Sequence, residues 1–259
     1  PKFGTKIIMT VGLVIISFSN IILVSAPTYL ILLLAHIPAG IGWGSSGPIG
    51  GIHAQLIERH SGKIISPYYA MGFNIGIFIG GILAGFILSN TMNPTFVFII
   101  LFFLSILVSF TIYMNGLPKD LDFKGEGEKL KIPEKNVLIF GFLLFVIFGS
   151  NGIIIDWSAL WFTKELNAPL YLASLGLIFL SFGGIFANLF SNQLIKLFSE
   201  KIVGCYFVIF GSLILFSSII IGNFYFILIT FFFYGFLTAN LVPIIIRQAV
   251  KHSSESIPT

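Results

Sequence analysis

Eight apolar stretches, near residues 7–26, 29–57, 66–88, 95–115, 137–161, 170–195, 202–222 and 224–247, constrain this chain more than any motif in it. Each is long enough to cross roughly 30 Å of hydrocarbon at about 1.5 Å per residue. With 56% apolar and only 9% charged residues, the chain has too much apolar surface to enclose in one water-soluble core. It reads as an all-α polytopic membrane protein. Turn signals such as "SAPT", "SNTMNPT" and "IGNF" separate the stretches, and one polar segment, "LPKDLDFKGEGEKLKIPEK", carries five lysines and five acids. That segment divides the chain into a first half, 1–116, with four helices, a linker, 117–135, and a second half, 136–259, with four more.

Alternate loops fall on alternate sides of the bilayer, so the basic residues test the helix count. Of the 14 Lys and Arg, only Lys164 falls on one side; the other thirteen, from Lys2 and Lys6 through the linker lysines to Arg247 and Lys251, fall on the other. Basic loops stay in the cytoplasm, which puts both ends and the linker there. The opening "PKFGTKII" reads as a cytoplasmic loop already in progress, so a fragment of a longer polypeptide is expected. Cys205, the single cysteine, lies in an apolar run and has no intramolecular disulfide partner.

The two halves repeat each other. A shift of 195 residues superposes Phe3 on Phe198, Lys6 on Lys201, Ile7 on Ile202, Gly40 on Gly235, Pro48 on Pro243 and Ile49 on Ile244. The Gly and Pro pairs, eight residues apart in both copies, carry most of the weight. Small residues also recur within single helices: Gly40, Gly44, Gly47 and Gly51 in the second stretch, and Gly72, Gly76, Gly80, Gly81 and Gly85 in the third. In lipid, where hydrophobic force between helices is absent, such stripes are expected to let backbones approach closely.

Several segments resemble the major facilitator superfamily of transporters. "KFGTKIIMTVG" is similar to the end of that family's loop signature between helices two and three. "LLLAHIPAGIGWGSSGPI" resembles its fourth-helix pattern, with His36 where the family has Arg. "GFNIGIFIGGILAG" resembles its fifth-helix glycine motif, with Ile77 in place of the proline of drug antiporters. "QLIERHSGKIISPYYAMGFNIGIFIGG", "DWSALWF" and "ANLVPII" resemble the subgroup around the fucose permeases. The loop after the sixth stretch, "FANLFSNQLIKLFSEK", departs from that pattern, carrying Asn188 and Asn192 where relatives have Arg and Asp. The resemblance implies a partial two-bundle fold containing helices three to ten of twelve. It further implies a monomer in a bacterial inner membrane and alternating access by rocking one half against the other.

Asp156, in "GSNGIIIDWSALWF", is the only acid well inside the apolar stretches. Gly149, Gly152 and Ala159 share its helix face, so the carboxylate is expected to face protein or water, because facing lipid would cost about 3 kcal/mol or more. That makes it a candidate for proton coupling or for bonding a substrate hydroxyl. The competing reading starts from depth: Asp156 lies about 30 Å along a helix that begins near Asn136. Trp157 and Trp161 would then anchor the outer interface, and the acid would serve structure or an outward gate. His36, about two turns from the outer surface, is a second coupling or gating candidate.

Neutral polar groups lie deep in several stretches: Trp43 and Ser46, Asn74, Asn151, Ser181 and Asn188, Thr238 and Asn240. Ser181, Gly184, Asn188 and Ser191 follow helical spacing and predict one polar stripe. Amides, hydroxyls and an indole suit a sugar or polyol, although each alone also suits an interhelical hydrogen bond. Paired carboxylates, metal-spaced His/Cys clusters, phosphate loops and nucleophile elbows are absent from the sequence, so neither an enzyme nor a cofactor or metal site is expected. The expected activity is secondary, proton-coupled movement of a small hydroxylated solute, with no nucleic-acid partner. The alternatives are a drug or metabolite exporter of the same superfamily, or a non-transporting sensor or permease subunit.

Overall fold

The structure, a computed structural model, describes residues 4–62, 65–90, 92–118, 121 and 135–251. Among them there is no strand, and eight helical spans are long and apolar enough to cross a membrane. Most of the linker 117–135 and the first copy's Phe3 lie outside the described residues, as do Lys2, Lys63 and four of the linker lysines.

Ten helices run through these spans. They are α1 Gly4–Ser25, α2 Tyr29–Ser61, α3 Ser66–Ser89, α4 Pro94–Asn115, α5 Lys135–Lys164, α6 Leu175–Leu189, α7 Ser191–Lys201, α8 Phe207–Ile221, α9 Phe224–Thr238 and α10 Leu241–Lys251. The turn signals in the sequence end or start them as their chemistry dictates. Thr28, Asn93 and Asn223 each accept a hydrogen bond from a first-turn N–H, of Ile31, Thr95 and Phe226 respectively. Gly62 and Gly222 close α2 and α8 at φ near 66°, a left-handed conformation that costs a glycine little.

The sixth stretch, read as continuous over 170–195, is divided. A 3-10 turn, Leu170–Leu172, precedes α6, which ends at Leu189, and α7 follows after Phe190. Ser199, at φ 69°, then turns the chain sharply before a π-helical turn, Ile202–Tyr206, leads into α8.

The helices form two compact units. The first comprises residues 1–66 and 92–130, built from α1, α2 and α4. Here α1 crosses α2 where Gly12 meets Gly42: a Cβ on Gly42 would lie 2.9 Å from the Ile16 Cβ and 3.0 Å from the Gly12 carbonyl oxygen. Near one end of this pair Thr5 and His53 share a buried hydrogen bond of 2.9 Å. On its other side α1 packs against α4 through Phe18 on Phe102 and through the Lys6 ammonium 5.2 Å from the centre of the Tyr113 ring. The glycine stripe expected to bring α2 against a neighbour does not do so in this unit. A Cβ at Gly40, Gly44, Gly47 or Gly51 would meet nothing within 4 Å, because the contact glycine is Gly42, on a different face.

The second unit comprises residues 67–91 and 131–259. Its centre is the parallel pair α6 and α9. A Cβ on Gly183 would overlap the Phe232 carbonyl oxygen, and one on Gly235 would overlap the Leu180 carbonyl oxygen, so the two backbones touch. Phe162 of α5 is fully buried against this pair, in a cluster with Leu180, Ile227, Leu228, Phe231 and Tyr234. Antiparallel to α6 runs α3: Phe78 stacks on Phe182, and Gly81 and Gly85 lie against Ile178 and Ser174. Gly81 and Gly85 therefore act as the sequence stripe suggested, whereas Gly72, Gly76 and Gly80 have no neighbour within 4 Å of a Cβ. By packing on α6, α3 belongs to this unit although it precedes the linker in chain order.

Candidate functional site

The polar stripe predicted from the sequence is buried, but it is divided: Ser181, Gly184 and Asn188 lie on α6, and Ser191 opens α7 beyond Phe190. Ser181 is 1% exposed, Asn188 and Ser191 are 4% exposed, and Gly184 is buried between them. The groups on the stripe are satisfied very unequally. The Ser181 hydroxyl donates to the Leu177 carbonyl at 2.6 Å, which consumes it within its own helix. At Gly184 a Cβ would lie 2.6 Å from the Asn74 Oδ1, so the missing side chain makes room for the Asn74 amide of α3. Asn74 in turn donates through its Nδ2 to the Ala70 carbonyl. One turn beyond Gly184, both polar atoms of the Asn188 side chain lack any hydrogen-bond partner.

The facing element explains why the chain is open there. The span that begins at Phe224 breaks after Thr238, and α10 resumes at Leu241. Pro243 has no N–H, so the Ala239 carbonyl loses its i+4 donor at the break. Asn240, 2% exposed, turns across it and donates from Nδ2 to the Ala187 carbonyl of α6 at 3.1 Å. Its Oδ1 is left buried and unpaired. Thr238 bonds back to the Tyr234 carbonyl at 2.7 Å. Three amide atoms, Oδ1 and Nδ2 of Asn188 on α6 and Oδ1 of Asn240 between α9 and α10, are thus buried without a partner among the described residues. Leaving a buried donor or acceptor unpaired costs about 1–3 kcal/mol each.

Three other residues of the second unit stand apart from this cluster. Asn151 is half-buried on α5, and Asp156 is exposed on the same helix, where it makes no hydrogen bond or ion pair among the described residues. The small residues sharing its face are equally uncovered: Cβ atoms on Gly149 and Gly152 would meet nothing within 4 Å. Ser158, two residues on, points the opposite way and has a buried, unpaired Oγ. In the sequence Ser158 is marked only as a hydroxyl inside "DWSALWF", one turn before the buried Phe162.

In the first unit, Trp43 is 56% exposed beside the Gly12/Gly42 crossing. Ser46 spends its hydroxyl on the Gly42 carbonyl at 2.6 Å, and His36, also exposed, donates from Nδ1 to the Leu32 carbonyl. Of the predicted site residues, then, Ser181 and Asn188 lie on α6, with Asn74 against Gly184 and Asn240 bonded to Ala187.

Comparison with known proteins agrees with this architecture. The family model of the Major Facilitator Superfamily matches residues 2–257. An uncharacterised MFS-type transporter of Yersinia pestis is 24% identical over 261 residues, which cover 96% of this chain and 64% of that protein. The chain therefore spans a little under two thirds of that relative's length. An all-α chain with eight membrane-spanning segments, matched by one family model from Lys2 to near its last residue, belongs to the Major Facilitator Superfamily.

Proposed function

We propose that the protein takes part in secondary active transport of a small hydroxylated solute, such as a sugar, coupled to protons, as in the fucose-permease-like branch that its motifs resemble. Superfamily membership supports transport rather than catalysis. The observation that supports the solute class is that the buried amides Asn188 and Asn240 have three unpaired polar atoms, neutral and mixed in donor and acceptor character. Charged cargo would leave such groups mismatched; hydroxyls, which both donate and accept, would complete them.

For coupling, Asp156 is the acid on hand. It sits on a small-residue face, and a carboxylate inside a membrane-spanning segment is a functional candidate by default. The test is uptake of radiolabelled sugars and polyols into proteoliposomes containing the full-length protein under an imposed pH gradient. Uptake that follows the gradient in the wild type, and persists without gradient dependence in Asp156→Asn, is the expected result. Uptake with unchanged pH dependence in Asp156→Asn would remove the acid from coupling. Transport of amphipathic drugs alone would favour an exporter.

A further inference from the structure

We infer that the hydrogen bond between Gln248 and Glu200 is a latch held against backbone strain, and that it fixes the far end of α10, a segment hinged at its start. The inference begins from the 195-residue repeat and does not depend on the solute. Under that shift Gly4 falls on Ser199, Thr5 on Glu200, Lys6 on Lys201 and His53 on Gln248. Both copies turn the chain at the first of these positions, Gly4 at φ 75° and Ser199 at φ 69°. In both, the next residue is tied across to the second span of its repeat. The Thr5 hydroxyl pairs with the His53 Nδ1 at 2.9 Å, and the Gln248 Nε2 donates to the Glu200 Oε2 at 2.6 Å. A backbone feature and a side-chain bond that recur together at matched positions mark one clasp, built twice.

The two copies differ in what the clasp works against. Glycine enters the left-handed half of backbone space at little cost, so the first clasp rests on a relaxed turn. Ser199 stands at φ 69° and ψ 156°, where a Cβ crowds the backbone, and such a conformation persists only where its surroundings impose it. The bond beside it is an amide N–H on a carboxylate, stronger than one between neutral groups, and it ties α7 to α10. The segment so held is also the one with a joint at its other end. A break after Thr238 separates α10 from α9, and Pro243 supplies no N–H to the Ala239 carbonyl, whereas α2 runs unbroken to Ser61. A joint at one end, a charged tie at the other and strain beside the tie give α10 two arrangements: latched with Ser199 strained, and released with Ser199 relaxed.

Hydrogen exchange of the protein in detergent, read by mass spectrometry on peptides from α10 and from the end of α2, measures release in the folded state with no solute present. Gln248→Met, close in shape and unable to donate, is expected to speed exchange in α10 by about tenfold or more, the size expected for losing a hydrogen bond to a charged acceptor, with α6 and α9 unchanged. Ser199→Gly removes the strain and keeps the bond, so it should slow exchange in the same peptides and raise the melting temperature. Thr5→Val breaks the matched bond in the first unit, where the turn is already a glycine and α2 has no break. It is expected to leave exchange at the end of α2 within about twofold of wild type, because no separate opening unit exists there.

Unchanged or faster α10 exchange in Ser199→Gly takes the strain out of the latch and overturns the inference. So does a Gln248→Met whose α10 peptides exchange as in the wild type, or a Thr5→Val that loosens α2 as much as Gln248→Met loosens α10. Should Gln248→Met fail to fold, Ser199→Gly decides alone. No solute enters these measurements, so a failed latch leaves the transport reading standing, and failed uptake leaves the latch standing.

Discussion

Helix α2 and the α9–α10 pair occupy equivalent places under the 195-residue repeat, and they have diverged in opposite directions. Both begin at the same repeat position, Tyr29 and Phe224. Yet α2 runs 33 residues without interruption through Pro38 and Pro48, whereas its counterpart breaks before Pro243, the residue equivalent to Pro48. A proline alone therefore does not decide the break. The polar residue at the shared position before it differs: Ser45 bonds back to the Ile41 and Gly42 carbonyls of its own helix, while Asn240, its equivalent, is long enough to reach the Ala187 carbonyl of α6. A short hydroxyl satisfies itself on its own helix, whereas the longer amide reaches a carbonyl of the neighbouring one.

The crossings next to these helices show the same divergence in volume. In the first unit, Ile16 of α1 packs on Gly42 of α2. At the equivalent positions in the second unit, the small residue is Gly211 of α8 and the large one is Leu237 of α9, whose Cβ lies 3.3 Å from where a Gly211 Cβ would be. Large and small have exchanged sides, and the helices still meet. Complementary volume at the crossing, rather than a particular residue, is what a lipid-embedded pair requires.

The sharpest break in this comparison is expected at the repeat pair Gly235 and Gly40. Gly235→Ala drives a methyl group into the Leu180 carbonyl and should cost about 3 kcal/mol or more, read as a large fall in melting temperature or failure to fold. Gly40→Ala meets nothing in its unit and should be neutral or gain up to about 1 kcal/mol from helix propensity. Equal losses at both positions would show that the α2 face is covered.

A smaller effect tests the exchanged volumes. Gly42→Ala should cost roughly 1–3 kcal/mol, since its Cβ would lie 2.8 Å from the Ile16 backbone nitrogen as well as 2.9 Å from the Ile16 Cβ, and adding Ile16→Gly should recover only the side-chain part. A double-mutant cycle with coupling of at least about 0.5 kcal/mol checks this; strict additivity would mean that the two side chains do not share the crossing.

The smallest expected difference lies one level deeper. Thr230 of α9 donates to Ser218 of α8 at 2.9 Å, while the equivalent positions 35 and 23 hold Ala35 and Leu23. Thr230→Ala should therefore cost only about 1 kcal/mol in thermal denaturation, and Ser218→Ala about the same. A loss several times larger would mean that the bond does more than join the two helices.

Much of this was legible in the residues. The eight spans and most of their ends follow from apolar length and from caps such as Thr28, Asn93 and Asn223, which act through the next turn of chain alone. Ser181, Gly184 and Asn188 share a face of α6 as their spacing suggested, because helical spacing is local; Ser191 is buried as well but lies on α7, beyond a break that spacing did not show. Which glycines touch a neighbour was not legible. Gly42, Gly183 and Gly235 make backbone contact while the more regular stripe of Gly40, Gly44 and Gly51 does not. Spacing tells which residues share a face, but not which face another helix meets.

By itself, then, the sequence determined that the chain is an all-α membrane protein, since length and apolarity are properties of the chain alone. Tertiary structure decided that α3 packs with α6, that the last span breaks at Asn240, and that Asn188 rather than Ser181 carries the open polar atoms. These outcomes turn on whether a side chain bonds within its own helix or across to another. Ser181 finds a carbonyl one turn back, Asn240 finds one on the neighbouring helix, and Asn188 finds neither.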